Sequence, residues 1–473
     1  SHIEYSLKYN RALLHEAEEE YEAAIEIFDD LLSKLRWAIG IDTNLQEGLT
    51  HAALARNYLA MSRLGEAEKH FQQAYEHLQS PEIQGHPAFL RLNSDYARLK
   101  TQQKSYKEAI DIFSATFQRA KEMAILDHPL VSVATAAYSE ALIADGQIDR
   151  AIGVIDEVQS TYISRLGRQS RETLSDLGSE RQVIRKALER QLGLLSQLKS
   201  NIKGSKRPDI DKLSFQTVQL MGVASASSAI SQMAARFAAG DNNLAKLVRK
   251  RQNLLVEWNE LNIATNQTLK QSATASVVFN PTVIASALDE VEKKITEIDN
   301  QLIANYPEYY QLSSTNPSTI SETQNLLKDD EALVVFSIGT STSYVHLVKK
   351  NDFHFIQVDV DEANLRDAVR ELRLSLSPKN VSSLGDIPPF NQTVAFDLYR
   401  SLLAPISDKL DDIQLLLTVS SGSLESLPLG VLTTDKPKQE FTDFSGYKQV
   451  PWLAKKYALA VLPSVSSLKS LRE

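Results

Sequence analysis

A period of 42 residues runs through the N-terminal third of this chain, and no other feature of the sequence narrows its fold as far. Ile41, Ile83 and Ile125 are spaced by 42, and His86-Pro87 returns at the same distance as His128-Pro129. A second register agrees. Ala24, Ala67, Ala109 and Ala151 are 43, 42 and 42 apart, and each is followed four residues on by Phe28, Phe71, Phe113 or Ile155. A small residue with a bulky apolar one a turn later marks a helix that approaches its neighbour closely, because residues i and i+4 share one face. Repetition at a fixed period of this length is the signature of stacked helix pairs, none of which buries its apolar face alone.

The clearest unit reads Leu54, Ala55, Tyr58, then Gly65, Ala67, Phe71, Ala74. In residue type and spacing it resembles the two-helix consensus of tetratricopeptide repeats. The period exceeds the usual 34 or so of that family and is similar to the longer repeats of the kinesin light chain type, which also often carry a His-Pro between repeats. Four units cover roughly residues 5–160, and a fifth, degenerate unit is expected near Gly167. The resemblance implies a superhelix with a concave groove, lined by the first helix of each pair, that holds a protein or peptide partner. By analogy with the register of the best unit, Arg56 and Asn57 are the candidate partner-binding residues.

Between about 165 and 320 helical patterning continues without the repeat. Leu247, Leu254, Trp258 and Leu261 fall on heptad spacing, as do Leu288, Val291, Ile295, Ile298 and Leu302. The polar stretch from Thr265 to Ser276 and Pro281 separate the two sets, so an antiparallel helical hairpin is expected. The basic run Arg249-Lys250-Arg251 is read as a solvated helix face because Glu257 and Glu260 lie close by. After Asn316-Pro317 the period changes to two. Ala332–Ile338, Tyr344–Lys349 and Phe353–Val358 read as an antiparallel meander. Helices marked by Leu365, Val369 and Leu372 and by Phe396, Tyr399 and Leu402 come next. Ile413–Val419 reads as a central strand covered on both faces, and Tyr457–Leu462 as a further strand. Ser321 and Ser464 are the expected caps of two short helices.

From about Asp329 the order of pieces resembles the CHAT domain, a caspase-like family commonly fused to tetratricopeptide repeats. The resemblance rests on Ala332 to Phe336 and on Tyr399 with Leu402-Leu403-Ala404-Pro405. It continues through Leu415 to Leu424 with Leu427-Pro428-Leu429, then Trp452-Leu453, Lys456-Tyr457-Ala458 and Pro463-Ser464. The upstream segments Gln232 to Ala238, Leu247-Val248-Arg249 and Tyr306 to Tyr309 are also similar to what precedes this domain in many members. Peptidases of the family use a histidine in a His-Gly motif and a cysteine at the end of a later strand. This chain has no His-Gly and no cysteine, so it cannot assemble a thiolate activated by an imidazole. His346 and His354, the histidines of this region, sit on strands and are expected to have no chemical role.

The expected architecture is therefore multi-domain: an all-α tetratricopeptide superhelix over 1–164, further helices with the hairpin over 165–320, and the N-terminal half of an α/β caspase-like domain over 321–473. The expected function is the partner-sensing, regulatory portion of a caspase-like cysteine peptidase, inactive as it stands, with the missing half of the CHAT domain as a possible second partner. The alternative is a non-enzymatic scaffold with a degenerate caspase-like docking module. Composition removes other classes. With 51 Lys and Arg against 60 Asp and Glu, the net charge of −9 leaves no excess to neutralise phosphates, so no nucleic-acid partner is expected. The long uncharged stretch from Leu213 to Ala235 is rich in Ser, Thr and Gln, which reads as a packed helix and not a membrane span. The opening Ser1-His2-Ile3-Glu4-Tyr5 has neither a basic nor an apolar leader region, and the expected compartment is the cytoplasm. No G-x-S-x-G elbow, P-loop or G-x-G-x-x-G occurs, no metal site is legible, and no cofactor is expected.

Overall fold

The structure, a computed structural model, describes residues 2–35, 41–78, 87–122, 129–168, 178–201, 209–222, 242–271, 281–306, 309, 317–378, 387–437 and 444–472. It is a mostly helical region followed by an α/β part. The chain condenses into two compact units, Ser1–Tyr162 with Arg251–Glu297 and Ile163–Lys250 with Ile298–Glu473. The stretch expected as a domain of its own over 165–320 is thus divided between them.

In the first unit the helices come in pairs: α1 (His2–Ala17) with α2 (Tyr21–Leu35), α3 (Ile41–Ala60) with α4 (Leu64–Leu78), α5 (Pro87–Gln102) with α6 (Tyr106–Glu122), and α7 (Pro129–Ala144) with α8 (Ile148–Arg168). From α1 to α7 each helix packs on the next, and α7 meets α8 around Ala137, Tyr138, Ala141 and Ala151. The alanine register falls on the second helix of every pair. Ala24, Phe28, Ala67, Phe71, Ala109, Phe113, Ala151 and Ile155 are all at most 1% exposed. Burying each of the bulky members contributes about 1.5–3 kcal/mol, and the alanine one turn earlier lets the neighbouring backbone approach. Pro87 and Pro129 open α5 and α7, at the helix position where a missing N–H costs nothing. Their preceding histidines, with Ile83 and Ile125, lie outside the described residues.

The turn inside each pair repeats as strictly as the core. Glu19, Ser62, Lys104 and Gly146 have φ of 64°, 59°, 64° and 78°, a spacing of 43, 42 and 42. Each closes its first helix in the same way, as when Ser62 N–H donates to Leu59 C=O and Arg63 N–H to Tyr58 C=O. That is the left-handed C-terminal cap glycine normally supplies, and three of the four turns do it with a side chain. A Cβ in this region costs about 1–2 kcal/mol, partly offset by the freedom glycine adds to the unfolded chain. Ser62→Gly and Lys104→Gly are expected each to raise stability by about 0.5–1 kcal/mol in urea unfolding. Gly146→Ala should lower it, and a loss in all three variants would rule out this turn geometry.

Also in this unit, the stretches of α11 (Asn242–Gln271) and α12 (Pro281–Asn305) between Arg251 and Glu297 contribute Leu255, Trp258, Val291 and Ile295 to one buried cluster. Leu255 is buried there, while Leu254, the residue on heptad spacing, is only partly covered. Trp258 Nε1 donates to Glu292.

The second unit is built on a five-stranded sheet of order β3-β2-β1-β4-β5. Its strands are β1 (Glu331–Ser337), β2 (Ser343–Lys349), β3 (Asp352–Val358), β4 (Leu415–Val419) and β5 (Ala458–Val461). β1 to β3 form the expected antiparallel meander. β4 runs parallel to both β1 and β5, with Leu333 opposite Leu417 and Leu417 opposite Ala460. Period two sorts the core into two faces. Val334, Phe336, Val345, Leu347 and Leu416 meet α14 (Glu362–Leu376) and α15 (Gln392–Leu402) through Leu365, Val369, Leu372 and Leu398. Leu333, Val335, Val348 and Leu417 meet Phe215 and Val218 of α10 (209–222). The same face is covered by Leu327, beside α13 (Ile320–Leu326), and Leu468 of α16 (Ser466–Arg472). The cap of α13 is Thr319, in a reciprocal capping box with Glu322, and not Ser321. Ser464 Oγ accepts the Ser467 N–H at the start of α16.

Candidate functional site

The first helices of three successive pairs bring a charged cluster together. Arg56 on α3 makes a two-pronged contact with Glu16 on α1, Nε to Oε1 at 3.0 Å and Nη2 to Oε2 at 3.1 Å. Asn57 Nδ2 donates to Ala53 C=O at 2.8 Å and to Glu16 Oε2 at 3.3 Å. From α5, Arg91 reaches Glu16 Oε1 at 3.5 Å and Asp95 Oδ2 at 3.7 Å, and Arg98 Nη1 donates to Asp95 Oδ1 at 3.4 Å. Arg56 Nε lies 3.8 Å from Asp95 Oδ2. Burial by itself pushes the Glu16 carboxyl up, but the charge and hydrogen bonds of Arg56 outweigh it and hold the group below the usual carboxylate range. Burial drives the Tyr9 hydroxyl up, against the opposing charges of Arg56 and Arg91 and with a smaller push from Glu16.

The placement of Arg56 and Asn57 differs from what register alone implied. Asn57 is fully buried, and only 10% of the Arg56 side chain is exposed. Arg56 and the Asn57 amide nitrogen bond Glu16 inside the unit and tie α3 to α1, while the buried Asn57 Oδ1 has no hydrogen-bond partner among the described residues. The more open cations are Arg91, at 43%, and Arg98, at 33%. Three arginines against two carboxylates leave one positive charge over, and it lies on this side of the cluster. The period could have found Arg98, which stands 42 residues after Arg56. Arg91 has no such counterpart, because its 42-residue equivalent is Leu49.

No protein-family model matches this chain, and no curated protein is detectably similar to it.

A second polar feature lies between α3 and α4. His51 Nδ1 and His70 Nδ1 are 3.0 Å apart, the His51 ring stacks on His77, and His77 Nδ1 is 3.3 Å from Glu47. Burial, followed by the charge of Lys69, pushes the His70 imidazole down to about 4, so it is neutral at pH 7. At the turn after α1, ligand-type atoms of His15, Glu18 and Glu20 lie within 4.8 Å of one another, with His15 Nδ1 already bonded to Glu20 Oε2 at 2.6 Å.

In the second unit the two strand histidines have contrasting surroundings. His346 on β2 is fully buried, and its ring lies 4.6 Å from that of Phe355 and 8° from parallel. Phe215 and Phe353 stand 6.2 Å and 6.0 Å away. Neither ring nitrogen has a hydrogen-bond partner. Burial, with the Lys199 charge adding to it, pushes this imidazole down to about 3. His354 on β3 binds Asp352 Oδ2 at 2.7 Å. At the ends of β1 and β4, Ile338 N–H donates to Ser421 Oγ at 3.2 Å, and Arg185 of α9 (Gly178–Asn201) donates to Ile338 C=O. Gly339 is needed in this corner, since a Cβ there would lie 2.3 Å from Thr342 C=O. Among the described residues no helix is long and apolar enough to cross a membrane.

Proposed function

We propose that this chain is the partner-sensing and regulatory portion of a caspase-like cysteine peptidase, in which tetratricopeptide repeats bind a protein or peptide partner and the catalytic histidine and cysteine lie outside residues 1–473. The observation that carries the reading is the sheet. An antiparallel hairpin flanks one side of β1, and β4 and β5 extend the other side in parallel, leaving β5 as the outer strand among those described. An outer strand with Val461 at 68% exposure is open to a further strand. The repeated helix pairs support the sensing half of the proposal. The α1, α3 and α5 cluster fixes the first helices against one another, and Arg91 and Arg98 at its open side are the cations available to a partner.

A second reading, a non-enzymatic scaffold with a caspase-like docking module, is favoured by one observation. His346 is enclosed by three phenylalanines and has no hydroxyl or carboxylate bonded to it, so the sheet supplies no base from that position.

Hydrogen exchange on the full chain tests the open edge. Ala458 and Leu462 donate their N–H groups inward, to Gln414 and Thr418, so by period two the amides of Leu459 and Val461 point outward. Those two are expected to exchange at least a hundredfold faster than the amides of β1. Slow exchange at both positions would mean that the edge is already covered, and the reading would fail.

A further inference from the structure

Helix α14 carries Arg366, Arg370 and Leu374 at successive spacings of four, with Arg373 beside them. They border an open cleft of about 860 Å³, whose other wall is Ser423 and Ser426 of the short 3-10 turn Gly422–Ser426. Arg373 Nη1 donates to the Ser426 carbonyl and braces the two walls. Among the described residues, Arg366 and Arg370 share Asp367 as their carboxylate partner. Arg366 Nε is 3.9 Å from its carboxylate and Arg370 is in close contact with it. Both arginine side chains stay mostly in solvent, at 59% and 66%. The nearby Glu371 is engaged elsewhere, accepting from Asn391 Nδ2 at 2.6 Å. The cleft is therefore cationic in a chain whose net charge is −9. Leu374 stands 62% exposed at its rim.

We propose that this cleft binds an extended acidic peptide segment of a partner protein, with two carboxylates on Arg366 and Arg370 and an aliphatic side chain on Leu374. Four residues of helix rise about 6 Å, and alternate residues of an extended strand are about 6.6 Å apart. A strand laid along α14 thus presents its residues i, i+2 and i+4 to Arg366, Arg370 and Leu374 in step. Arginine takes a carboxylate in a two-pronged, charge-assisted contact. Single-stranded nucleic acid fits less well, because the described lining residues include no aromatic ring on which a base could stack. This site is on the second unit and is independent of the partner site on the repeats.

The test uses the full chain and a fluorescein-labelled peptide, Leu-Ser-Glu-Ser-Glu-Ser-Leu, which reads the same in either direction. Fluorescence anisotropy in 50 mM salt is expected to show saturable binding that weakens as salt rises. Arg366→Gln and Arg370→Gln should each weaken it about tenfold, and Leu374→Ser about threefold. Thermal melts of the variants should superimpose on the parent, since all three side chains are exposed. Absence of saturable binding, or affinity unchanged in the double arginine variant, would overturn the proposal. So would an oligothymidylate that binds as tightly as the peptide and is lost with the same substitutions.

Discussion

Arg56→Met is expected to cost the N-terminal unit about 3–5 kcal/mol, because Glu16 loses its two-pronged partner and keeps only the longer contact from Arg91. The penalty comes from the under-paired Glu16 charge more than from the lost contact. The double variant Glu16→Gln with Arg56→Met is therefore expected to recover part of the loss. Arg56→Lys keeps the charge but not the two-pronged geometry, and should fall between the parent and Arg56→Met. Urea unfolding followed by far-ultraviolet circular dichroism reads all three. A loss under about 1 kcal/mol for Arg56→Met would mean that the cluster is solvated and contributes like a surface pair. The sign of its pH dependence follows from Glu16, whose carboxyl is held below its ordinary range. Its contribution is present above the unfolded pKa and is lost as pH falls through the folded one.

Acid should unfold the second unit early, and His346 is the reason. An unfolded histidine takes a proton near 6.5, whereas burial holds His346 down to about 3. Between those values the unfolded chain binds more protons than the folded one, so stability rises with pH. The contribution is complete above about 6.5 and is lost progressively toward 3, with about 2 kcal/mol gone by pH 5. His346→Leu removes the titrating group and fills the slot between the three phenylalanines with an apolar side chain. At pH 7 the variant should be about 1–3 kcal/mol more stable, since both ring nitrogens lack hydrogen bonds in the parent. Its stability between pH 7 and 5 should fall less steeply than the parent's, because the slope from His346 is gone while that from His70 remains. An equal slope in the two proteins would assign the acid sensitivity elsewhere.

Much of this architecture was legible in the sequence wherever a period expressed burial. The alanine and phenylalanine register marked the second helix of each pair because close helix packing demands a small residue and an aromatic on one stripe. The strands read correctly because alternation in β1 to β3 and the apolar run in β4 mirror the faces they bury. The covering helices were harder to read. Phe215 and Val218 pack on the sheet, yet they lie among Ser, Thr and Gln, whose hydroxyls and amides bond back to their own helix, as Thr217 does to Leu213. Such a helix carries a weak apolar stripe, and nothing local says which surface it covers. The left-handed turns were hidden for a related reason, because Glu19, Ser62 and Lys104 occupy a conformation that only Gly146 advertises.

Site residues were the least legible. Arg56 and Asn57 were placed on the first helix of a pair, but register does not tell whether a polar side chain faces a groove or a neighbouring helix. The deciding partner, Glu16, is 40 residues from Arg56 and has no matching residue one period on, since position 58 is Tyr. The arginines of α14 carry a local signal, a spacing of four that ends on a leucine, but spacing alone does not say that Leu374 is exposed.

The central claim, that this chain belongs with a caspase-like catalytic half, is tested most directly by reading the encoding gene past the codon for Glu473. An open frame of another one to two hundred codons or so, a typical domain's length, is expected there, containing a His-Gly followed by a cysteine after a further apolar strand. A stop codon at that point, or a continuation without both residues, would contradict it.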